Sequence, residues 1–430
     1  MRVLWIGDGG SATGFARVAH ALGDRLVEQY GHEVHLLATN YKGDPYPTKV
    51  QMYVPTIHDA GDTYGMSRFI ELAANVMPDV IVTLNDPQVL YAWLLNNRFD
   101  PERLIIKRFP VLAYIPIDGY NNPKMYDPLG QVTNRVAMSK FGLEAMPEAK
   151  LVYHGVDTDL FWPVSGERPI TISRGDVLRT KRDCKRAFGF DPDSFLIGRV
   201  DRNTGRKDFA STWKAVLPVM RRHSDVVTYF HCKPKDERSG VNLPALFSRE
   251  LDLLDRFRVP SRFITNQGYS QQDLNAIYNA FDLFVSTSRG EGFGLTLAES
   301  LACAVPVIAQ NVSAIPEVVG PGGELIEPGR EITVPFGQDH WLADIGAFSE
   351  AIERAYASRR WRRDAGQAGL EHVTRSFVWD EAAARFNEYI EVLAHDAHEA
   401  QAAVDPGVAR VPRANGGNRA ARRRRGARAT

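Results

Sequence analysis

The chain has 430 residues, 44% hydrophobic and 24% charged, with 52 basic side chains matched by 52 acidic ones. That length exceeds what one hydrophobic core serves, so two domains of an ordinary soluble protein are expected. The neutral sum hides an asymmetry: residues 403–430 carry eight arginines against one aspartate, a net of +7, leaving −7 on residues 1–402. The chain opens MRVLWIGDGG, a strand running into a glycine turn; a signal peptide and a membrane span are not expected. Cys184, Cys232 and Cys303 are odd in number and scattered, which favours buried thiols in a reducing cytoplasm over a disulfide or metal framework.

In chain order, strand-like runs VLWIGD, EVHLLAT, DVIVTLN, VLAYIPID, NRVAMS and KLVYHG alternate with helical patterns. Phe15, Val18, Ala19, Leu22 and Leu26 fall on one helical face, and Phe69, Leu72, Ala73 and Val76 on another. This βαβ rhythm predicts a parallel sheet covered on both sides. Gly9, Gly10 and Gly14 follow the first strand, but not at dinucleotide spacing; they form either a structural turn or a close approach of backbone to ligand. A turn-rich hinge, DTDLFWPVSGERPITISRGD, precedes a helix at 178–188.

The rhythm then repeats in FLIGRVD, VVTYFHC, RFITNQG, LFVSTS, PVIAQN and GELIEP, with helices expected at 209–222, 243–257, 271–280 and 295–304. Phe386, Tyr389, Ile390 and Leu393 mark a final amphipathic helix, and beyond about residue 400 the composition cannot bury a core. The expected organisation is a first Rossmann-like domain at 1–162 and a second at 163–378. A helix at 379–398 packs back on the first, and a disordered Arg-rich tail covers 399–430. Asp157 and Asp159, and Asp191 and Asp193, spell DxD but sit in turns, so a metal role is not expected; His154 is expected in a loop or core. No zinc-like His/Cys spacing and no Gly-x-Ser-x-Gly elbow occurs.

The chemistry concentrates in EGFGLTLAE, where Glu291 and Glu299 flank a glycine turn between a strand and a helix. Gly292 and Gly294 free the backbone to approach a ligand, and a helix start of this kind suits a phosphate. Carboxylates only accept hydrogen bonds at neutral pH, so the two glutamates suit hydroxyl-bearing groups such as sugar and ribose. In RVDRNTGRK, Arg202 and Lys207 lie five apart across a polar turn at the same predicted sheet edge. Two cations there can neutralise a diphosphate without a metal; by itself the loop reads equally as a solvated basic segment.

With these residues in view the chain resembles the family 4 glycosyltransferases of the GT-B fold, two Rossmann-like doubly wound domains facing across a cleft. The resemblance covers residues 1–395. It is carried most by GYSQQDLNAIYNAFDLFVSTSRGEGFGLTLAESLACAVPVIA and AIPEVVG, then by HGVDTDLFWP, RNTGRK and VAMSKFG. It implies that Arg202 and Lys207 hold the donor diphosphate, Glu299 the ribose, Glu291 the transferred sugar, and the amides of Gly292, Phe293, Gly294 and Leu295 the sugar or distal phosphate. Gly10 would approach from the first domain. Many family members carry a histidine after the fourth strand of that domain, where this chain has Asp118 in YIPIDGY, replacing a ring donor by a carboxylate acceptor.

The reaction implied is metal-independent transfer of a hexose-like sugar from a nucleoside diphosphate sugar to an acceptor hydroxyl, with retained anomeric configuration and no cofactor. An epimerase or phosphorylase on the same scaffold, a DNA-base-modifying transferase and a non-catalytic binder of nucleotide sugars stay open. The acceptor is unassigned. The tail, with Arg422 to Arg425, offers a weak contact to nucleic acid or to an anionic inner membrane face, or is simply solvated.

Overall fold

The computed structural model describes residues 1–10, 13–55, 65–87, 89–90, 109–120, 133–235, 240–260, 269–335 and 337–404. The first sheet comprises β1 (Arg2–Asp8), β2 (Glu33–Thr39), β3 (Gln51–Tyr53), β4 (Val80–Leu84), β5 (Val111–Ile115), β6 (Asn134–Ala137) and β7 (Lys150–Leu151). Its spatial order is β3-β2-β1-β4-β5-β6-β7 and every pairing is parallel. β1 is buried along nearly its whole length, as a strand covered on both faces must be.

A short hairpin, β8 (Ile170–Thr171) and β9 (Val177–Leu178), leads into the second sheet. That sheet holds β10 (Phe195–Val200), β11 (Val226–His231), β12 (Phe257–Arg258), β13 (Leu283–Ser286), β14 (Val307–Gln310) and β15 (Gly323–Ile326). The order β12-β11-β10-β13-β14-β15 repeats the winding of the first. Strand order reverses between β1 and β4 and again between β10 and β13, which fixes the two crevices where doubly wound sheets bind ligands. A second hairpin, β16 (Pro328–Thr333) and β17 (Asp339–Ala343), stands apart as its own antiparallel ribbon.

Four helices matter to the site. α1 (Gly14–Glu28) starts at Thr13, whose hydroxyl caps the Ala16 amide, and turns Ala16, Val18, Ala19, Leu22 and Leu26 inward. α2 (Phe209–Arg222) is capped by Asp208, held in the left-handed region at φ 46°. α3 (Leu295–Ala302) has Gly294 at its cap with φ 107°, a conformation that favours glycine. α4 (Trp379–Val404) lays Ala383, Phe386 and Ile390 on the first domain, Phe386 stacking on Trp5 at 5.5 Å between centroids. One apolar core therefore runs from the first sheet through Val152, Val156 and Phe161 into the second domain.

One expectation changes. The helix expected at 243–257 is a five-residue helix, Leu243–Phe247, followed by a 3-10 segment Leu251–Arg256 and β12. Leu251 is 75% exposed, so the leucines of this stretch do not share one buried helical face. The run RFITNQG and the tail from residue 405 both lie outside the described residues. The ribbon β16–β17 was not marked by any turn signal or alternation strong enough to separate it from the end of β15.

Candidate functional site

The loops leaving β10 and β13 meet at the second sheet's reversal point. Glu291 follows β13 and is 6% exposed. Its Oε1 receives Lys207 Nζ at 2.6 Å and Ser288 Oγ at 2.6 Å, and its Oε2 receives Arg206 Nη1 at 3.0 Å. These cations and the Ser288 donor outweigh burial and hold the carboxyl far below its ordinary range. Lys207 Nζ also reaches Asp201 Oδ1 at 2.7 Å, and Arg206 Nε reaches Asp118 Oδ2 at 2.9 Å. A chain of alternating charge thus crosses from the first domain to the second: Asp118, Arg206, Glu291, Lys207, Asp201.

Behind it lies Arg199, with no exposed surface. Its guanidinium pairs with Asp201 at 3.4 Å, donates to Thr287 at 3.1 Å, to Thr212 and to the Lys207 carbonyl, and sits over the Phe209 ring. A buried charge is tolerable only when paired and hydrogen-bonded in this way, and the result is a rigid mount for the Lys207 loop. Arg202, by contrast, is exposed. Arg206, not Arg202, stands with Lys207 at Glu291. The adjacent Arg-Lys pair was the only sequence signal for it.

Glu299 projects from α3 and is 3% exposed. Arg17 of α1 pairs with its Oε1, and Tyr278 Oη donates to Oε2 at 2.7 Å. Burial outweighs both partners and raises the Glu299 carboxyl above its ordinary range. Across this pair the helix starts also approach, since a Cβ on Gly14 would lie 3.4 Å from Leu295 Cδ1.

The glycines of the site have structural causes visible in the other domain. A Cβ at Gly292 would meet Pro116 Cβ at 2.8 Å, and one at Gly290 would meet the Asp118 carbonyl oxygen at 1.7 Å. A Cβ at Gly10 would strike the Tyr41 backbone at 2.3 Å, so packing inside the first domain already demands glycine there. The Phe293 side chain is buried against Phe377, 5.1 Å between ring centroids, and His154, 5.0 Å, which leaves only its backbone for a ligand.

Asp118 lies at the end of the loop after β5. Arg206 and His340 overcome its burial and hold its carboxyl below the usual range. Asp86 follows β4; burial and then the nearby Asp118 charge push its carboxyl up to about 6.

Several other marked residues are structural. Asp157 caps the amides of Asp159 and Leu160, Asp191 caps Asp193, and Asp159 and Asp193 pair with Arg168 and Arg182. Glu317 of AIPEVVG accepts from the Lys140 and Phe141 amides of VAMSKFG at 2.9 and 3.0 Å, and from Tyr153 Oη. Asn279 of AIYNAFD accepts from the Val164 amide and donates to the Trp162 carbonyl in the hinge. All three cysteines are buried and free. Among the described residues no cluster of three His, Cys, Asp or Glu side chains forms a metal cage, and no helix is long and apolar enough to cross a membrane. A hollow of about 500 Å³ lined by Pro218, Arg222 and Glu353 opens on the outer face of the second domain, far from these charges.

Residues 192–358 match the family model described as glycosyl transferases group 1. The chain is 34% identical over 109 residues to O-antigen chain mannosyltransferase B of Escherichia coli, covering 25% of each chain. It is 29% identical over 242 residues to the lipopolysaccharide core biosynthesis mannosyltransferase LpsB of Rhizobium meliloti, covering 54% of this chain and 58% of that one. The chain therefore spans between a quarter and three fifths of the length of these relatives. Among solved structures, Anabaena Alr3699/HepE in complex with UDP-glucose superposes with a TM-score of 0.67 at 16% identity, over 91% of this chain and all of that one. The protein has the GT-B fold, and residues 192–358 of its second domain match the glycosyl transferases group 1 family.

Proposed function

We propose that the chain is a glycosyltransferase that moves a hexose-like sugar from a nucleoside diphosphate sugar to an acceptor hydroxyl, with retention and without a metal. The observation that carries this reading is the meeting of Lys207, Arg206 and Glu291 at the reversal point of the second sheet, opposite Asp118 of the first. Both relatives named above are mannosyltransferases, so a mannosyl donor is the first to test.

In the reaction the bond from the anomeric carbon to the β-phosphate oxygen breaks and a bond from that carbon to the acceptor oxygen forms on the same face. The acceptor proton passes to the departing phosphate oxygen, which leaves as nucleoside diphosphate. The largest developing charge is on that diphosphate, so preformed cations aimed at it supply most of the rate. Lys207 and Arg206 have this role, joined by the amides that open α3. Glu291, kept ionised, accepts from sugar hydroxyls. Glu299 accepts from the ribose hydroxyls through the lone pairs that Arg17 and Tyr278 leave free on its two oxygens. Arg202, exposed to solvent, has a lesser part at the diphosphate than these two cations. Gly10 is a lesser donor contact for the packing reason given above.

Incubation with UDP-, GDP- and ADP-hexoses, followed by mass spectrometry of candidate acceptor pools with and without EDTA, tests the reading. Release of nucleoside diphosphate with glycosylated product, insensitive to EDTA, is expected. Epimer or sugar phosphate formed without acceptor would replace transfer by epimerase or phosphorylase chemistry. For the acceptor side and location, binding of the full chain to duplex DNA and to anionic vesicles, compared with a chain ending at residue 404, separates a tail contact from a solvated tail.

A further inference from the structure

The ribbon β16–β17 belongs to the second domain but is stitched to both sides of the site. Tyr120 and Asp339 exchange backbone hydrogen bonds of 3.0 and 2.9 Å, so β17 pairs with the loop that carries Asp118. On the other side the Trp341 amide reaches the Arg289 carbonyl at 3.4 Å, and Gln310 Nε2 donates to the carbonyls of Ser288 and Trp341 at 2.8 and 3.2 Å. Between these attachments β17 inserts His340, 5% exposed, against the Gly119 backbone: a Cβ there would lie 2.4 Å from the imidazole. Among the described residues neither ring nitrogen has a hydrogen-bond partner, and Nε2 stands 3.7 Å from Asp118 Oδ1. The other oxygen of Asp118 is the one bound to Arg206.

An imidazole buried with no hydrogen bond to either nitrogen is unfavourable. It is retained here beside the carboxylate that begins the charge chain leading to Glu291 and Lys207. Its backbone is pinned on both sides, so the ring is held at the junction of the domains and not left there by a mobile loop. An approaching hydroxyl would find the ring nitrogen and Asp118 Oδ1 as neighbouring donor and acceptor, separated by slightly more than one hydrogen bond.

We propose that His340 is a positioning residue for the transferred sugar: with Asp118 it forms a pair, assembled across the domains by the β16–β17 ribbon, that grips one hydroxyl of the hexose. This rests on the transferase reading above. It assigns to the ribbon a part in choosing the sugar, distinct from the nucleotide contacts around Lys207 and Glu299.

Calorimetric titration of the full chain and of His340→Ala and His340→Gln with UDP, GDP and ADP and with their hexose conjugates tests it, together with kcat and KM for donor turnover. For His340→Ala the expected result is an unchanged dissociation constant for the bare nucleoside diphosphate. The ratio of conjugate to bare dissociation constants should rise at least about fivefold and kcat fall at least about tenfold, a loss of the size expected for one misplaced positioning contact. His340→Gln, whose amide donor reaches a similar place, should recover part of both. An unchanged ratio and kcat in His340→Ala would overturn the proposal, as would a loss of bare nucleoside diphosphate binding in both variants, which marks a purely structural residue. If the unaltered chain binds neither bare nucleotides nor conjugates, the transferase reading itself fails, a result distinct from the first two.

Discussion

At the scale of single residues, the site is a matter of which cation faces which carboxylate. Lys207→Ala and Arg206→Ala are each expected to lower kcat/KM for the donor by roughly a hundredfold, the loss typical of one transition-state charge contact. Arg202→Ala, an exposed charge, should change it by no more than about threefold. Steady-state kinetics on the three variants decides between the inner and outer arginine. His154 supplies a separate test. It is 3% exposed among Trp379, Phe293 and Tyr114, and burial holds its imidazole down at about 3 against an ordinary 6.5. A depressed folded value means the unfolded chain takes up the proton first. The stabilisation from His154 is thus complete above pH 6.5 and is lost as pH falls from there toward 3. Urea midpoints measured from pH 7.5 down to about 4.5 should fall less steeply in His154→Phe than in the parent.

At the scale of elements, alternating βαβ patterns made both parallel sheets legible, because strands covered on two faces read as short apolar runs between helical stripes. EGFGLTLAE was legible for the same local reason: strand, glycine turn and helix follow one another in sequence. Arg17, Arg206 and His340 were not, since each acts across more than eighty residues, on Glu299, on Glu291 and on Asp118. Periodicity carries no information about such partners. Even the glycines were half legible; Gly292 suggests a ligand's approach, whereas the structure puts Pro116 of the first domain there. Gly290→Ala should therefore act as a wedge between elements. A methyl 1.7 Å from the Asp118 carbonyl must part the loop after β5 from the loop after β13. Transfer should drop roughly a hundredfold, as ångström-scale misplacement does. The radius of gyration from X-ray scattering should rise while the helical circular dichroism stays unchanged.

At the scale of the whole molecule, the two domains and α4 share one core, so damage to the last helix should be felt by the first sheet. Phe386, fully buried, stacks on Trp5 and meets Tyr114 at 5.7 Å between centroids. Phe386→Ala is expected to destabilise by about 3–5 kcal/mol, read as a lowered urea midpoint for the burst of Trp5 fluorescence. The same helix has a consequence for how the chain comes into being. Nearly four hundred residues separate Trp5 from the ring that covers it, and at roughly 5–20 residues per second the ribosome needs about 20 seconds or more to deliver that ring. Until then the nascent first domain presents bare aromatic surface, while the second completes its sheet unaided. Pulse proteolysis of stalled nascent chains should find the later-made domain protected before the earlier-made one, so the order of maturation runs opposite to the order of synthesis.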